Sequence, residues 1–268
     1  MSRLTTRQAL TPWDVAALRF GGAFLVALPL VAWRGLPRIA PRRWPAITLF
    51  AGFGFPLLAY AGYRMAPAAH GAVVTAAGLP VATALLALAL GLGRIGPWKA
   101  ASLLLVVAGS LLLGVATSGP HPDAWRGDLL FLAAVCAWAV YTLMVQSWRL
   151  PALDATLVIA LSAAPAYLPV WWLALPSAIG QVPWPVVLTQ GLFHGAAAAV
   201  LAGLLYTQAV ASIGPGPTTM IGAAVPALAA LLAWPLLGEA MTPASFAAVG
   251  LVCAGLALSV LRPDRVSG

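Results

Sequence analysis

The chain is a succession of long apolar runs separated by short polar breaks. Runs such as ASLLLVVAGSLLLGVA at Ala101–Ala116 are continuous and lack the every-second-residue alternation of a barrel strand. A helix needs about 20 mostly apolar residues to cross a bilayer. The breaks, where Pro, Gly, Arg and Asp cluster, delimit spans near residues 12–33, 45–64, 69–92, 98–117, 128–147, 155–175, 185–211, 214–237 and 243–261. The pattern predicts an all-α integral membrane protein with about nine transmembrane helices, several of them joined as tight hairpins.

Composition agrees and narrows the classes. Of 268 residues, 62% are hydrophobic and 7% are charged, against about 25% charged in a soluble domain. Such a chain cannot cover a globule with polar groups, so its partner is the lipid bilayer. In lipid every backbone N–H and C=O must pair internally, which favours helices for these continuous runs. The net charge of +8 is carried by arginines between apolar spans, where it orients the chain and does not indicate nucleic acid. Cys136 and Cys253 fall inside apolar runs and are expected as packed thiols, with no disulfide, metal or cofactor. No polar stretch is long enough for a separate soluble domain. MSRLTTRQALTPWD is not a cleavable signal, since no apolar segment closely follows its basic residues.

Loop charges set an orientation. Placing Arg34, Arg38, Arg42 and Arg43 in the cytoplasm also puts Arg94, Lys99, Arg149, Arg262 and Arg265 there. The loop TSGPHPDAWRGD, with Asp123, Arg126 and Asp128, then lies outside, and the C-terminus is cytoplasmic. Nine spans leave the termini on opposite sides, so Arg3 and Arg7 would be exported.

The chain also repeats itself. An offset of 146 residues aligns Tyr60 with Tyr206, Pro80 with Pro226, Pro97 with Pro243 and Gly109 with Gly255. Upstream an offset of 140 aligns Trp44-Pro45 with Trp184-Pro185 and Asp14 with Asp154. The halves are residues 1–118, with four spans, and 127–262, with five. An odd number of spans per unit inserts the copies in opposite directions, and inverted repeats of this kind are a transporter signature.

With TPWDVAALRF at Thr11–Phe20, the AAGLPVATALLALALG run around Pro80, GDLLFLAAVCAWAVYTLMVQ at Gly127–Gln146 and AAVPALAALLAWPLLGE ending at Glu239, the sequence resembles the EamA family of the drug/metabolite transporter superfamily. Each motif alone is degenerate; their order, spacing and duplication carry the resemblance over nearly the whole chain. It implies ten helices in two five-helix halves, with both termini cytoplasmic. Against that pattern the first helix is missing, and residues 1–11 look like its tail. A mis-set start codon or a truncated gene would account for the exported N-terminus. The other readings are a genuine nine-helix variant and a defective protein.

Ionisable and polar groups inside spans are the candidates for chemistry. Arg19 lies about two turns, roughly 10 Å, into the first span. It reads either as a cation lining the pathway and binding an anionic group, or as a snorkelling side chain. The resemblance implies a recurrent arginine there. His194 reads as a proton relay or as a neutral interhelical hydrogen-bonding group. Gln190 is four residues from His194 and shares its helix face; Tyr206, Thr207 and Gln208 share its span. Tyr60, Tyr63 and Arg64 form a comparable group in the first half, and Trp138 with Tyr141 offers an aromatic wall. Interhelical hydrogen bonding and interface anchoring explain the same residues without a solute. Pro80 and Pro226 are expected to kink their helices near the midplane, after the small-residue runs GAVVTAAG and IGAA. His70 is a weak candidate at a helix end, and Glu239 is expected to end its helix. Trp44, Trp98, Trp125, Trp148, Trp171, Trp172 and Trp184 are expected as interface-belt residues.

The expected function is a non-enzymatic, multi-pass permease of the cell membrane. It would export or exchange small organic metabolites or drugs by alternating access, driven by ion or proton exchange or by facilitated diffusion, since no P-loop is present. A homodimer is compatible with this. The alternatives are a truncated, non-transporting membrane protein, a channel or scaffold, and a membrane-embedded lipid enzyme. The enzyme would need a His, Asp, Glu or Ser cluster that is not visible.

Overall fold

The computed structural model describes residues 10–117, 124–237 and 242–261. Among them no strand occurs, and nine helices are long and apolar enough to cross a membrane. They are α1 (Pro12–Arg34), α2 (Pro41–Gly62), α3 (Ala68–Ala89), α4 (Pro97–Thr117), α5 (Trp125–Ser147), α6 (Ala152–Ala174), α7 (Trp184–Ile213), α8 (Pro215–Gly222, continued by Val225–Leu237) and α9 (Pro243–Leu261). The expected all-α membrane class is what the chain forms. Arg3, Arg7, Asp123, Glu239, Arg262 and Arg265 lie outside the described residues.

Two helices change ladder in mid-course. In α2, an i→i+5 segment occupies Thr48–Gly54, between the α-helical pieces Trp44–Ile47 and Phe55–Gly62. In α7, it occupies Leu192–Leu201, between Trp184–Gly191 and Ala202–Ile213. These are the helices that the Trp-Pro and Tyr matches pair across the repeat. The sequence offset changes from 140 to 146 between those matches, and both π segments lie within that interval. A wider ladder accommodates extra residues per turn, and such segments are frequent at functional sites.

The prolines aligned by the repeat behave differently. Pro80 is inside the uninterrupted helix α3. Pro226 follows a break at 223–224, where α8 stops and restarts. Proline fits the first turn of a helix because its missing N–H has no partner there, and Pro226 is the second residue of the restarted piece.

The chain packs as two compact units, each drawing on both halves of the sequence: residues 1–61 with 144–212, and residues 62–143 with 213–268. In the first unit, α1 and α6 run antiparallel. Asp14 at the start of α1 binds Trp171 and Ser177 at the end of α6, and Asp154 at the start of α6 pairs with Arg34 at the end of α1. Their seam is lined by Ala16, Ala17, Ala163 and Ala164 around Phe20 and Tyr167, and by Ala23, Ala27, Leu157 and Ala160 farther along. Small side chains let membrane helices approach closely, where dispersion and polar contacts replace the hydrophobic drive absent in lipid. The π segment of α7 packs on α1, and that of α2 packs on α6 through a Thr48–Ser162 hydroxyl contact.

In the second unit, α4 and α9 are antiparallel, and the repeat-matched glycines mark the contact. Gly109 faces the Ala248 carbonyl and Val252, while Gly255 faces the Ser102 carbonyl and Val106. The Ser102 hydroxyl donates to the Gly255 carbonyl at 2.6 Å. Ser102→Ala is expected to lower stability by about 1 kcal/mol, the scale of a hydrogen bond between membrane helices, read as a lower thermal midpoint in detergent. Gly71 and Gly78, from the small-residue run ahead of Pro80, face Phe131 and Val135 of α5. The Nδ1 of His70 lies 3.0 Å from Asp128 Oδ1, which ties the start of α3 to the start of α5.

The cysteines and three of the tryptophans depart from their expected settings. Cys136 and Cys253 are free thiols but exposed, not packed; a small, weakly polar thiol is tolerated on an apolar face. Trp98, Trp125, Trp172 and Trp184 are exposed, as belt residues are. Trp171 is instead turned to Asp14, Trp44 donates its indole N–H to the Ile39 carbonyl, and Trp148 lies under the Arg43 guanidinium.

Candidate functional site

The start of α1 is built by the sequence TPWDVAALRF. Thr11 is the N-cap, Pro12 opens the helix, and Asp14 completes a capping box: Asp14 N–H donates to Thr11 Oγ1 at 3.1 Å, and Thr11 N–H donates to Asp14 Oδ2 at 3.0 Å. Asp14 also accepts from the Thr11 hydroxyl (2.9 Å), Trp171 Nε1 (3.0 Å), the Ser177 hydroxyl (2.6 Å) and Ala178 N–H (2.9 Å). A carboxylate held by this many donors fixes the position of the helix start. Five residues on, one and a half turns deeper, stands Arg19.

Two other elements bring partners to Arg19. The last α-helical piece of α2 carries Tyr60, whose side chain shares a hydrogen bond with Arg19. The π segment of α7 carries His194, close enough to Arg19 for its ring to feel the guanidinium charge. A backbone contact sets this approach: a Cβ on Gly195 would lie 2.6 Å from Gly22 Cα, and one on Gly22 would lie 2.8 Å from the Gly191 carbonyl. Only glycine permits that spacing, and His194 is the residue next to the contact.

The surround is aromatic. Tyr60 and His194 meet edge to face at 6.3 Å between centroids, and Phe193 meets His194 at 5.1 Å. Tyr60 also packs on the cluster of Phe20 and Tyr167. Within it Phe20 contacts Tyr167 at 5.0 Å and Phe53 at 5.7 Å, both in edge-type geometry. Arg19, Tyr60 and His194 are each half-buried.

Arg19, Tyr60 and His194 thus come together, from three helices of one compact unit. The other candidates are placed as follows. Gln190 is buried one turn before His194, and Tyr206 is half-buried in the same helix. Gln208 is exposed and donates to the Ser212 hydroxyl on its own helix at 3.0 Å. Trp138 and Tyr141 do pair, at 5.2 Å between centroids, but in the other compact unit. Sequence reasoning missed Asp14 as a hub and the π segments of α2 and α7. The capping-box spacing of Thr11 and Asp14 was the available signal for the first; the change of repeat offset was the signal for the second.

The architecture has a counterpart among solved structures. A protein known by its crystal structure superposes with a TM-score of 0.76 at 22% identity, covering 97% of this chain and 91% of that chain. At that identity the likeness establishes a shared fold. No curated protein matches this chain. The model of the EamA-like transporter family matches residues 1–115 and again 125–261. Two family matches, nine apolar helices among the described residues and a polar cluster inside the spans converge: this chain belongs to the EamA-like transporter family of the drug/metabolite transporter superfamily.

Proposed function

We infer that the chain is a permease of the cell membrane that moves small organic solutes by alternating access, with its C-terminus in the cytoplasm. The observation that carries this reading is the Arg19–Tyr60–His194 cluster. A guanidinium inside a membrane span is costly unless it serves a pathway or a partner, and here it is held among neutral hydrogen-bonding and aromatic groups on three helices. The antiparallel pairings of α1 with α6 and of α4 with α9 support an inverted repeat. In each pairing, repeat-matched residues, Asp14 with Asp154 and Gly109 with Gly255, make reciprocal contacts. Two oppositely inserted copies that rock against each other expose one site to each side in turn. Sequences 1–118 and 127–262 are then the two copies, and each compact unit takes helices from both.

The test is solute counterflow in proteoliposomes, with solutes first chosen by thermal stabilisation of the purified protein. Arg19→Ala is expected to reduce counterflow at least about tenfold, the scale of one lost charge-assisted contact, with the amount of inserted protein unchanged. Wild-type rates in both Arg19→Ala and His194→Ala would remove these residues from the pathway.

A further inference from the structure

The charge balance around Arg19 points to the kind of solute. The compact unit that contains it, residues 1–61 and 144–212, has two carboxylates in its whole sequence, Asp14 and Asp154. Both are engaged elsewhere. Asp14 is saturated by the Thr11, Trp171, Ser177 and Ala178 donors. Asp154 pairs with Arg34 at 3.4 Å and accepts from Arg38 N–H at 3.3 Å. Among the described residues, no carboxylate pairs with Arg19. Its neighbours are a phenol and an imidazole, neither of which supplies a negative charge.

Among the described residues, then, the cluster holds one positive charge inside a span with no carboxylate paired to it. An ion in such a medium is stabilised most by a single opposite charge brought into contact. One cation balances one negative charge, which selects a monoanion over a dianion such as a phosphate monoester. The planar guanidinium fork matches a carboxylate with two parallel N–H···O bonds. The phenol of Tyr60 and the imidazole of His194 add hydrogen-bonding groups beside that fork. Phe193 packs on the His194 ring, and Tyr60 packs on the buried Phe20–Tyr167 pair, so the surround of the cluster is aromatic and matches an apolar or aromatic body better than a polar one.

We propose that the Arg19–Tyr60–His194 cluster binds the carboxylate of a small apolar or aromatic monoanion. This rests on the permease reading, and it names the solute class of that same site.

The experiment uses the full chain in detergent and radiolabelled 3-phenylpropanoate as the probe, competed with unlabelled 3-phenylpropanoate, with 3-phenylpropanamide and with inorganic phosphate. The carboxylate is expected to displace the probe at concentrations at least about tenfold below the amide, the scale of a charge-assisted hydrogen bond. Phosphate is expected to compete weakly. In R19Q the preference should fall to near unity. In Y60F affinity should drop severalfold while the preference persists. If R19Q does not elute as a monodisperse species, R19K serves in its place: it keeps the charge, loses the fork, and should bind several times more weakly. Absence of saturable binding, equal displacement by the amide, stronger displacement by phosphate, or an undiminished preference in R19Q would each overturn the assignment. Counterflow separates this from the parent reading. A neutral solute that exchanges through the protein without carboxylate preference leaves the permease standing and removes the anion site. Carboxylate-selective binding without counterflow of any solute does the reverse.

Discussion

Asp14→Ala is expected to lower stability by roughly 3 kcal/mol or more, as several donors to one charged acceptor lose their partner together. Asp14 is fully buried, and five donors converge on its carboxylate from the cap of α1, the end of α6 and the turn after it. Asp14→Asn should recover little. It keeps one acceptor oxygen but turns an N–H₂ toward groups that are themselves donors. Asp154→Ala is the internal control. It occupies the matching position in α6 and is buried too, yet its contacts are two and long, 3.4 Å to Arg34 and 3.3 Å to Arg38 N–H, and the Arg34 left behind is 35% exposed and can hydrate, so a loss of about 1 kcal/mol is expected. Thermal melts of the three variants in one detergent test this directly. Equal midpoints for Asp14→Ala and Asp154→Ala would defeat the account in which donor number sets the difference.

The second large effect is expected at Gly195. An added Cβ there meets the Gly22 backbone at 2.6 Å, with Ala23 N at 2.9 Å, and backbone cannot turn aside as a side chain would. Gly195→Ala is expected to lose about 1–3 kcal/mol, the usual range for overpacking. Gly195→Leu should prevent α7 from docking on α1 and leave little monodisperse protein. Gly203→Ala, eight residues farther along α7, has nothing within 4 Å of the new methyl. It should be neutral or stabilising by up to about 1 kcal/mol, since alanine favours helix over glycine. A Gly195→Ala protein that melts like Gly203→Ala would show that the two helices part without penalty.

How far the sequence disclosed this molecule depends on the kind of signal. The spans were legible because each needs about 20 apolar residues, and the α1, α5 and α6 segments follow the hydropathy pattern closely. Arg19 and His194 were legible as candidates because charge and imidazole stand out in apolar runs. Their meeting with Tyr60 was not, because it depends on a close contact at Gly22 and Gly195 that one-dimensional spacing does not encode. Trp171 was read as a belt residue from its position near a span end; its indole is spent on Asp14, a partner 157 residues away in the chain. The π segments escaped because an i→i+5 ladder leaves the same apolar composition as an α-helix. Gln208 stood beside Tyr206 and Thr207 in sequence, but helical rotation carries it to the exposed side.

The inequality of the two aspartate contacts has a mechanical side. Helices α1 and α6 form a beam of 23-residue members, each about 34 Å long at 1.5 Å per residue. One end is riveted by the Asp14 carboxylate, and the polar contacts at the other are the longer ones of Asp154, beside the packed Ala27 and Leu157. A tilt of about 5° about the riveted end, over that length, sweeps the loose end by roughly 3 Å. That displacement is enough to part the Asp154–Arg34 pair while the Asp14 joint stays closed, so a relative tilt of the two helices is expected to open first at Asp154, with Thr11–Asp14 as its fulcrum.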